Sequence, residues 1–184
     1  MSKSPYEEGE DAELLVEQLL RQEGWFTTPA RTQRIATDSA PMFDGRSEKI
    51  VMPDVYAMRS GQAVWCEVKQ FEKPVFTRKR DQEEHGVRSR KFKEYKRTAR
   101  TSGLPTYLFV FEEQSGDLLV ADVLNLTGLP PISRDACLAH YGELVTYFDK
   151  REFEQVRLKN AHVPPGFGHS VELDTGDRLN NILQ

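Results

Sequence analysis

The 184-residue sequence is poor in cysteine and has no long hydrophobic run. Its two cysteines, Cys66 and Cys137, are far apart and lack the spacing of metal ligands, which argues against a disulfide framework and a zinc knuckle. No run approaches the eighteen apolar residues that a membrane helix needs. The first fifteen residues are acidic, whereas a signal peptide is basic and then apolar. We therefore expect a cytoplasmic protein with reduced thiols and no membrane partner.

Glycine and proline are also too few for a low-complexity or collagen-like chain, at 12 and 10 residues. With 38% hydrophobic and 29% charged residues, the composition is that of an ordinary globular domain. The length predicts one domain with an appendage, and we find no internal repeat.

Positive charge is scarce outside one segment. The whole chain has a formal charge of −4, yet residues 78–100 hold ten basic and four acidic residues, a local charge of +6. Such a segment in an acidic protein is typical of a surface that binds a polyanion, and the alternative is a solvated helix face. The residues assigned to nucleic-acid binding are Arg78, Lys79, Arg80, Arg88, Arg90, Lys91, Lys93, Lys96 and Arg97.

Hydrophobic periodicity predicts alternating helices and strands. A first helix runs from about Pro5 to Glu23, and a long basic helix occupies about Glu83–Ser102. Strands are predicted at 25–28, 49–58, 63–70, 106–111 and 118–123, and further helices at 133–140 and 149–156. This order predicts an α/β fold with a mixed β-sheet.

Three charged residues around a predicted hairpin indicate chemistry. Asp54 lies on one arm, and Glu67 and Lys69 lie on the other arm, two residues apart and therefore on one face. Two neighbouring carboxylates repel each other unless a cation intervenes, and carboxylate oxygens are ligands that Mg²⁺ prefers. The grouping suits phosphodiester hydrolysis, and the alternative is an exposed hairpin with a cross-strand Glu–Lys pair.

These residues resemble a known family. Pro53-Asp54 followed by Glu67-Val68-Lys69 resembles the motif of the PD-(D/E)xK nuclease superfamily. The closer resemblance is to archaeal-type Holliday junction resolvases, in which a Gly followed four residues later by Glu opens the first helix, as in Gly9–Glu13. Gly24-Trp25-Phe26 resembles that group's step into the first strand, and 102–106 resembles its Gly-x-Pro entry into an apolar strand. The resemblance covers roughly residues 6–123.

The resemblance implies a restriction-endonuclease-like three-layer core, with a central mixed β-sheet flanked by helices. The expected division is a nuclease-like core at 1–124 and a C-terminal extension at 125–184 packed on or beside it, irregular from about residue 160. By the resemblance, Asp54 and Glu67 hold Mg²⁺, or Mn²⁺ in its place. Glu13 approaches the metal from the first helix, and Lys69 assists the attacking water.

The resemblance further implies a metal-dependent DNA endonuclease that acts on branched or duplex DNA in recombination or repair, with a homodimer compatible with it. An exonuclease or restriction-type enzyme is the enzymatic alternative. A non-catalytic module that binds nucleic acid or a protein partner on the same fold is the other alternative, because a fold does not imply an activity.

Overall fold

A computed structural model describes residues 5–30, 42–44, 49–156, 158–159, 172–173 and 179–183. The helices are α1 (Pro5–Gln22), α2 (Ser89–Ser102), α3 (Arg134–Tyr141) and α4 (Leu179–Ile182). The strands are β1 (Phe26–Pro29), β2 (Met42–Asp44), β3 (Lys49–Val51), β4 (Val55–Arg59), β5 (Gln62–Phe71), β6 (Val75–Thr77), β7 (Gln82–Arg88), β8 (Thr106–Glu112), β9 (Asp117–Asp122), β10 (Val145–Asp149), β11 (Glu154–Val156), β12 (Leu158–Lys159) and β13 (Glu172–Leu173). Within these ranges no helix is long and apolar enough to cross a membrane.

A six-stranded sheet of order β1-β4-β5-β8-β9-β11 forms the centre of the fold. Strands β5 and β8 pair in parallel and the other neighbours pair antiparallel, so the sheet is mixed. Helix α1 packs on one face and α2 on the other, which confirms the predicted α/β fold. A second sheet of order β10-β7-β6 lies beside α2, and β2-β3 and β12-β13 form two-stranded pairs.

The two faces of the sheet have separate hydrophobic cores because side chains alternate along each strand. On the α1 face, Leu15 and Leu19 of the helix pack with Cys66 and Val68 of β5. On the α2 face, Phe92, Tyr95 and Ala99 lie at helical spacing and are buried against β8 and β9. Gly103 ends α2 in the left-handed conformation, which glycine adopts readily.

Three sequence-based predictions of secondary structure are wrong. Residues 82–88 form β7 and not the start of the basic helix, because the strand pairs with β6 and β10. The predicted helix at 149–156 is a short 3₁₀ turn (Lys150–Glu152) followed by β11, which pairs with the edge strand β9. The single strand predicted at 49–58 is divided into β3 and β4.

A buried polar cluster joins the second sheet to the central sheet. His85 Nε2 of β7 lies 2.7 Å from Glu112 Oε1 of β8, and both side chains are buried. Lys150 Nζ and Ser115 Oγ donate to Glu112 Oε2 at 2.7 and 2.8 Å. Burial lowers the pKa of His85, although the hydrogen bond with Glu112 opposes this effect. The folded state therefore favours neutral His85.

The stability of the protein is expected to fall as the pH drops below about 6.5, where the unfolded histidine takes up a proton more readily than buried His85. Uptake of one proton on unfolding changes the free energy of unfolding by up to about 1.4 kcal/mol per pH unit. Denaturant unfolding between pH 7.5 and 5 measures this slope. His85→Gln should flatten it, whereas replacing exposed His140 by Gln should leave it unchanged. A slope that His85→Gln does not alter would contradict the assignment.

The end of the chain packs on the α1 face of the sheet. Leu179 and Leu183 are buried in that core. Asn180 Oδ1 accepts hydrogen bonds from Trp25 Nε1 at 2.9 Å and from Arg59 Nη1 at 2.6 Å. An irregular tail is predicted from about residue 160. Of that segment the structure describes only β13 and residues 179–183.

Replacing Leu179 by Ala is expected to lower the free energy of unfolding by about 2–5 kcal/mol, because the substitution leaves a cavity in a packed core. Denaturant unfolding measures the loss. Asn181→Ala is the matched control in α4, since Asn181 is exposed, and it should change stability by less than about 0.5 kcal/mol. Equal effects of the two variants would mean that α4 does not belong to the core.

Candidate active site

The β4–β5 hairpin brings Asp54 and Glu67 together. Val55 pairs with Cys66, and Asp54 is the residue immediately before β4, so it reaches the position beside Glu67. Ser60 and Gly61 make the tight turn, both with positive φ. Cys66 and Val68 point into the core on the α1 face, so Glu67 and Lys69 share the opposite face, as the strand alternation predicts.

Lys69 lies between the two carboxylates. Its Nζ donates to Glu67 Oε1 at 2.5 Å and lies 3.6 Å from Asp54 Oδ2. Nζ also donates to the Val68 carbonyl oxygen at 2.7 Å. The Val68 amide donates to Asp54 Oδ2 at 2.9 Å, which ties the two strands together at the site. One ammonium group therefore bridges both carboxylates.

The two carboxylates are removed from water. Asp54 is 5% exposed and Glu67 is 6% exposed. Burial, and after it the negative charge of Asp54, raises the pKa of Glu67, whereas Lys69 and a hydrogen bond from Tyr95 lower it. The site therefore holds more negative charge than its surroundings favour, and a bound cation would relieve this.

Glu13 on α1 contributes to the same electrostatic environment. It is buried, at 6% exposed. Burial lowers the pKa of Lys69, but the charges of Glu67, Asp54 and Glu13 outweigh this effect, so the pKa of Lys69 is raised. Glu13 is thus close enough to act on Lys69, and its role as a metal ligand stays a prediction.

Tyr95 also contacts the site, which its place in the basic helix does not predict. Its hydroxyl donates to Glu67 Oε1 at 2.5 Å from the buried face of α2. The periodicity of α2 marks Tyr95 as a core residue, and it is one, since only 3% of it is exposed. A tyrosine at a core position could have indicated this contact, because a buried tyrosine hydroxyl usually needs a hydrogen-bond partner.

The donor set fits a hard divalent cation. Mg²⁺ prefers oxygen ligands, keeps several waters and is commonly held by one or two carboxylates, which Asp54 and Glu67 provide. Among the described residues, no three His, Cys, Asp or Glu side chains form a ready-made metal-binding group. The residues present therefore suit a loosely held, partly hydrated Mg²⁺ or Mn²⁺ and not a structural zinc.

The basic residues fall into different environments. Arg90, Lys93, Arg97 and Arg100 are exposed and recur at helical spacing along the outer face of α2, and we call them the outer row. Arg80 is half-buried and bound to Glu84. The remaining predicted contacts are Arg78 and Lys79 in the β6–β7 turn, Arg88 paired with Glu143, Lys91 paired with Glu94, and Lys96 donating to the Leu126 carbonyl.

Comparisons with known proteins find similarity to solved structures but not to a family model or a curated protein. A solved structure of Hjc, a Holliday junction resolvase from Archaeoglobus fulgidus, is similar to it at 13% sequence identity and a TM-score of 0.49. The similarity covers 79% of this chain and 86% of that chain.

Proposed function

We propose that the chain is a metal-dependent nuclease of the PD-(D/E)xK type that hydrolyses DNA phosphodiester bonds, most specifically a structure-selective endonuclease of Holliday-junction-resolvase type. The observation that carries the proposal is the buried Asp54–Lys69–Glu67 cluster. A cross-strand pair on a solvated hairpin would need only one carboxylate for one lysine, and it would leave both in water. Here two buried carboxylates share a single ammonium group.

Each residue of the cluster has a role that its position supports. Asp54 and Glu67 would hold the divalent cation, which supplies charge stabilisation at the phosphate and acidifies a bound water. The Lys69 ammonium group can turn from Glu67 toward the phosphate, where it would stabilise the negative charge that builds up during attack. The attacking water would lose a proton to solvent and form the new bond to phosphorus. The bond to the leaving sugar oxygen would break, and that oxygen would take up a proton from solvent.

The outer row of α2 provides the expected contact with the DNA backbone. From Arg90 to Arg100 the helix rises about 15 Å, so the row can follow several phosphates. Arg90 pairs with Glu94 at 3.2 Å, but an exposed pair contributes about 1 kcal/mol or less and exchanges readily for a phosphate. Phosphate contacts of this kind read shape and position more than base sequence.

Cleavage of labelled DNA tests the proposal. A four-way junction, a matched duplex and a single strand are each incubated with the full chain in Mg²⁺, in Mn²⁺ and in EDTA. We expect metal-dependent internal cuts, with the junction preferred. End-first degradation would identify an exonuclease, and equal cutting of the duplex would remove the junction preference. Binding without cleavage of any substrate would overturn the proposal and favour a non-catalytic binding module.

A further inference from the structure

Helix α2 presents two hydroxyl groups on its buried face. Tyr95 and Thr98 are three residues apart, so they lie side by side on the helix. They are 3% and 1% exposed, which places both in the protein interior. A buried hydroxyl without a partner is costly, so each is expected to form a specific hydrogen bond.

Each hydroxyl binds a different one of the two segments that carry the carboxylates. Tyr95 Oη donates to Glu67 Oε1 at 2.5 Å. Thr98 Oγ1 donates to the Val51 carbonyl oxygen at 2.8 Å, three residues before Asp54. One helix face therefore contacts β5 through the Glu67 side chain and the approach to β4 through the Val51 backbone.

The contact with Glu67 also selects one of its oxygens. Lys69 Nζ and Tyr95 Oη both donate to Oε1. Among the described residues no hydrogen bond reaches Oε2, which leaves that oxygen for another ligand. A carboxylate whose orientation is fixed in this way loses less conformational freedom on binding a cation.

We propose that Tyr95 and Thr98 are positioning residues that orient Glu67 and the Asp54 segment for binding a divalent cation. This inference rests on the proposed function, because it assumes that the two carboxylates hold the metal. Neither residue needs to touch DNA or the reacting phosphate. The helix whose outer row is expected to contact DNA would thus also shape the metal site through its inner face.

Manganese binding by the full chain tests the inference without DNA or turnover. Mn²⁺ titrations followed by electron paramagnetic resonance compare the wild type with Tyr95→Phe and Thr98→Val, which keep most of the packing volume. Loss of an outer-shell partner weakens metal binding by about 10-fold or more, so we expect at least that for Tyr95→Phe. Thr98→Val removes one hydrogen bond to the backbone, so we expect Mn²⁺ binding to weaken by about fivefold. The KM for DNA should not change.

A matched control comes from the same helix. Ser102 Oγ donates to the Thr98 carbonyl oxygen at 2.8 Å and makes no contact with the site, so Ser102→Ala should leave Mn²⁺ binding unchanged. If Tyr95→Phe and Thr98→Val lower the melting temperature but bind Mn²⁺ like the wild type, both residues are purely structural and the inference fails.

The inference and the proposed function can fail separately. A wild-type protein that cleaves DNA, with variants that bind Mn²⁺ normally, overturns only the positioning role. A wild-type protein that binds Mn²⁺ in a Tyr95-dependent manner but cleaves nothing overturns only the nuclease proposal. The absence of Mn²⁺ binding in the wild type overturns both.

Discussion

Replacing Asp54 by Asn is expected to reduce metal-dependent DNA cleavage by roughly 10²–10³-fold, the range in which the loss of one charge-stabilising group usually falls. The substitution removes a negative charge from the proposed cation site and keeps the shape of the side chain. The amide oxygen of Asn can still accept the hydrogen bond that the Val68 amide gives to Asp54 Oδ2 at 2.9 Å. The fold should therefore survive, and initial cleavage rates at saturating Mg²⁺ measure the loss.

Lys69→Ala should reduce the cleavage rate by a comparable factor, but its effect on Mn²⁺ binding should differ from that of Asp54→Asn. It removes the ammonium group that bridges the carboxylates, so the variant should still bind Mn²⁺ but fail to stabilise charge at the phosphate. Asp135→Asn and Lys73→Ala make the same chemical changes at exposed positions and serve as matched controls. Full cleavage activity in Asp54→Asn would show that the reaction takes place elsewhere.

The proximity of Asp54, Glu67 and Lys69 can be predicted because it depends on local rules. The period of two along a strand places Glu67 and Lys69 on one face, and a tight turn fixes which residues of β4 and β5 face each other. The hairpin register, with Val55 opposite Cys66, agrees with both expectations.

The boundaries that failed depend on partners distant in sequence. His85 resembles a residue of a solvated helix, but its ring contacts Glu112 in the interior, where it forms part of β7. The strand pairs with β10, in which Phe148 lies opposite His85. Periodicity assigns charged residues to solvent unless the partner is known, and no local pattern reveals a partner 27 residues away. The same limit applies to β11, which is a strand because it pairs with the free edge of β9.

Replacing Arg80 by Ala is expected to lower the free energy of unfolding by about 3 kcal/mol and to leave the DNA affinity of the folded protein nearly unchanged. Arg80 Nε and Nη2 donate to the two carboxylate oxygens of Glu84 at 2.5 and 2.6 Å, and Nη1 donates to the Pro130 carbonyl at 3.0 Å. Glu84 is fully buried, so the variant would retain a buried carboxylate without its cation. Denaturant unfolding measures the loss.

Lys93→Ala also removes one positive charge, from the outer row of α2. We expect it to lower the DNA affinity and to leave the stability nearly unchanged. Lys93 is exposed, so stability should change by less than about 0.5 kcal/mol. If Lys93 contacts a phosphate, the dependence of log K on log salt concentration should become shallower by about 0.9. Arg80 and Lys93 belong to the same basic segment, but Arg80 is bound to Glu84 whereas the exposed Lys93 can bind a phosphate. A loss of DNA affinity in Arg80→Ala without a loss of stability would make Arg80 a phosphate contact and its pair with Glu84 dispensable.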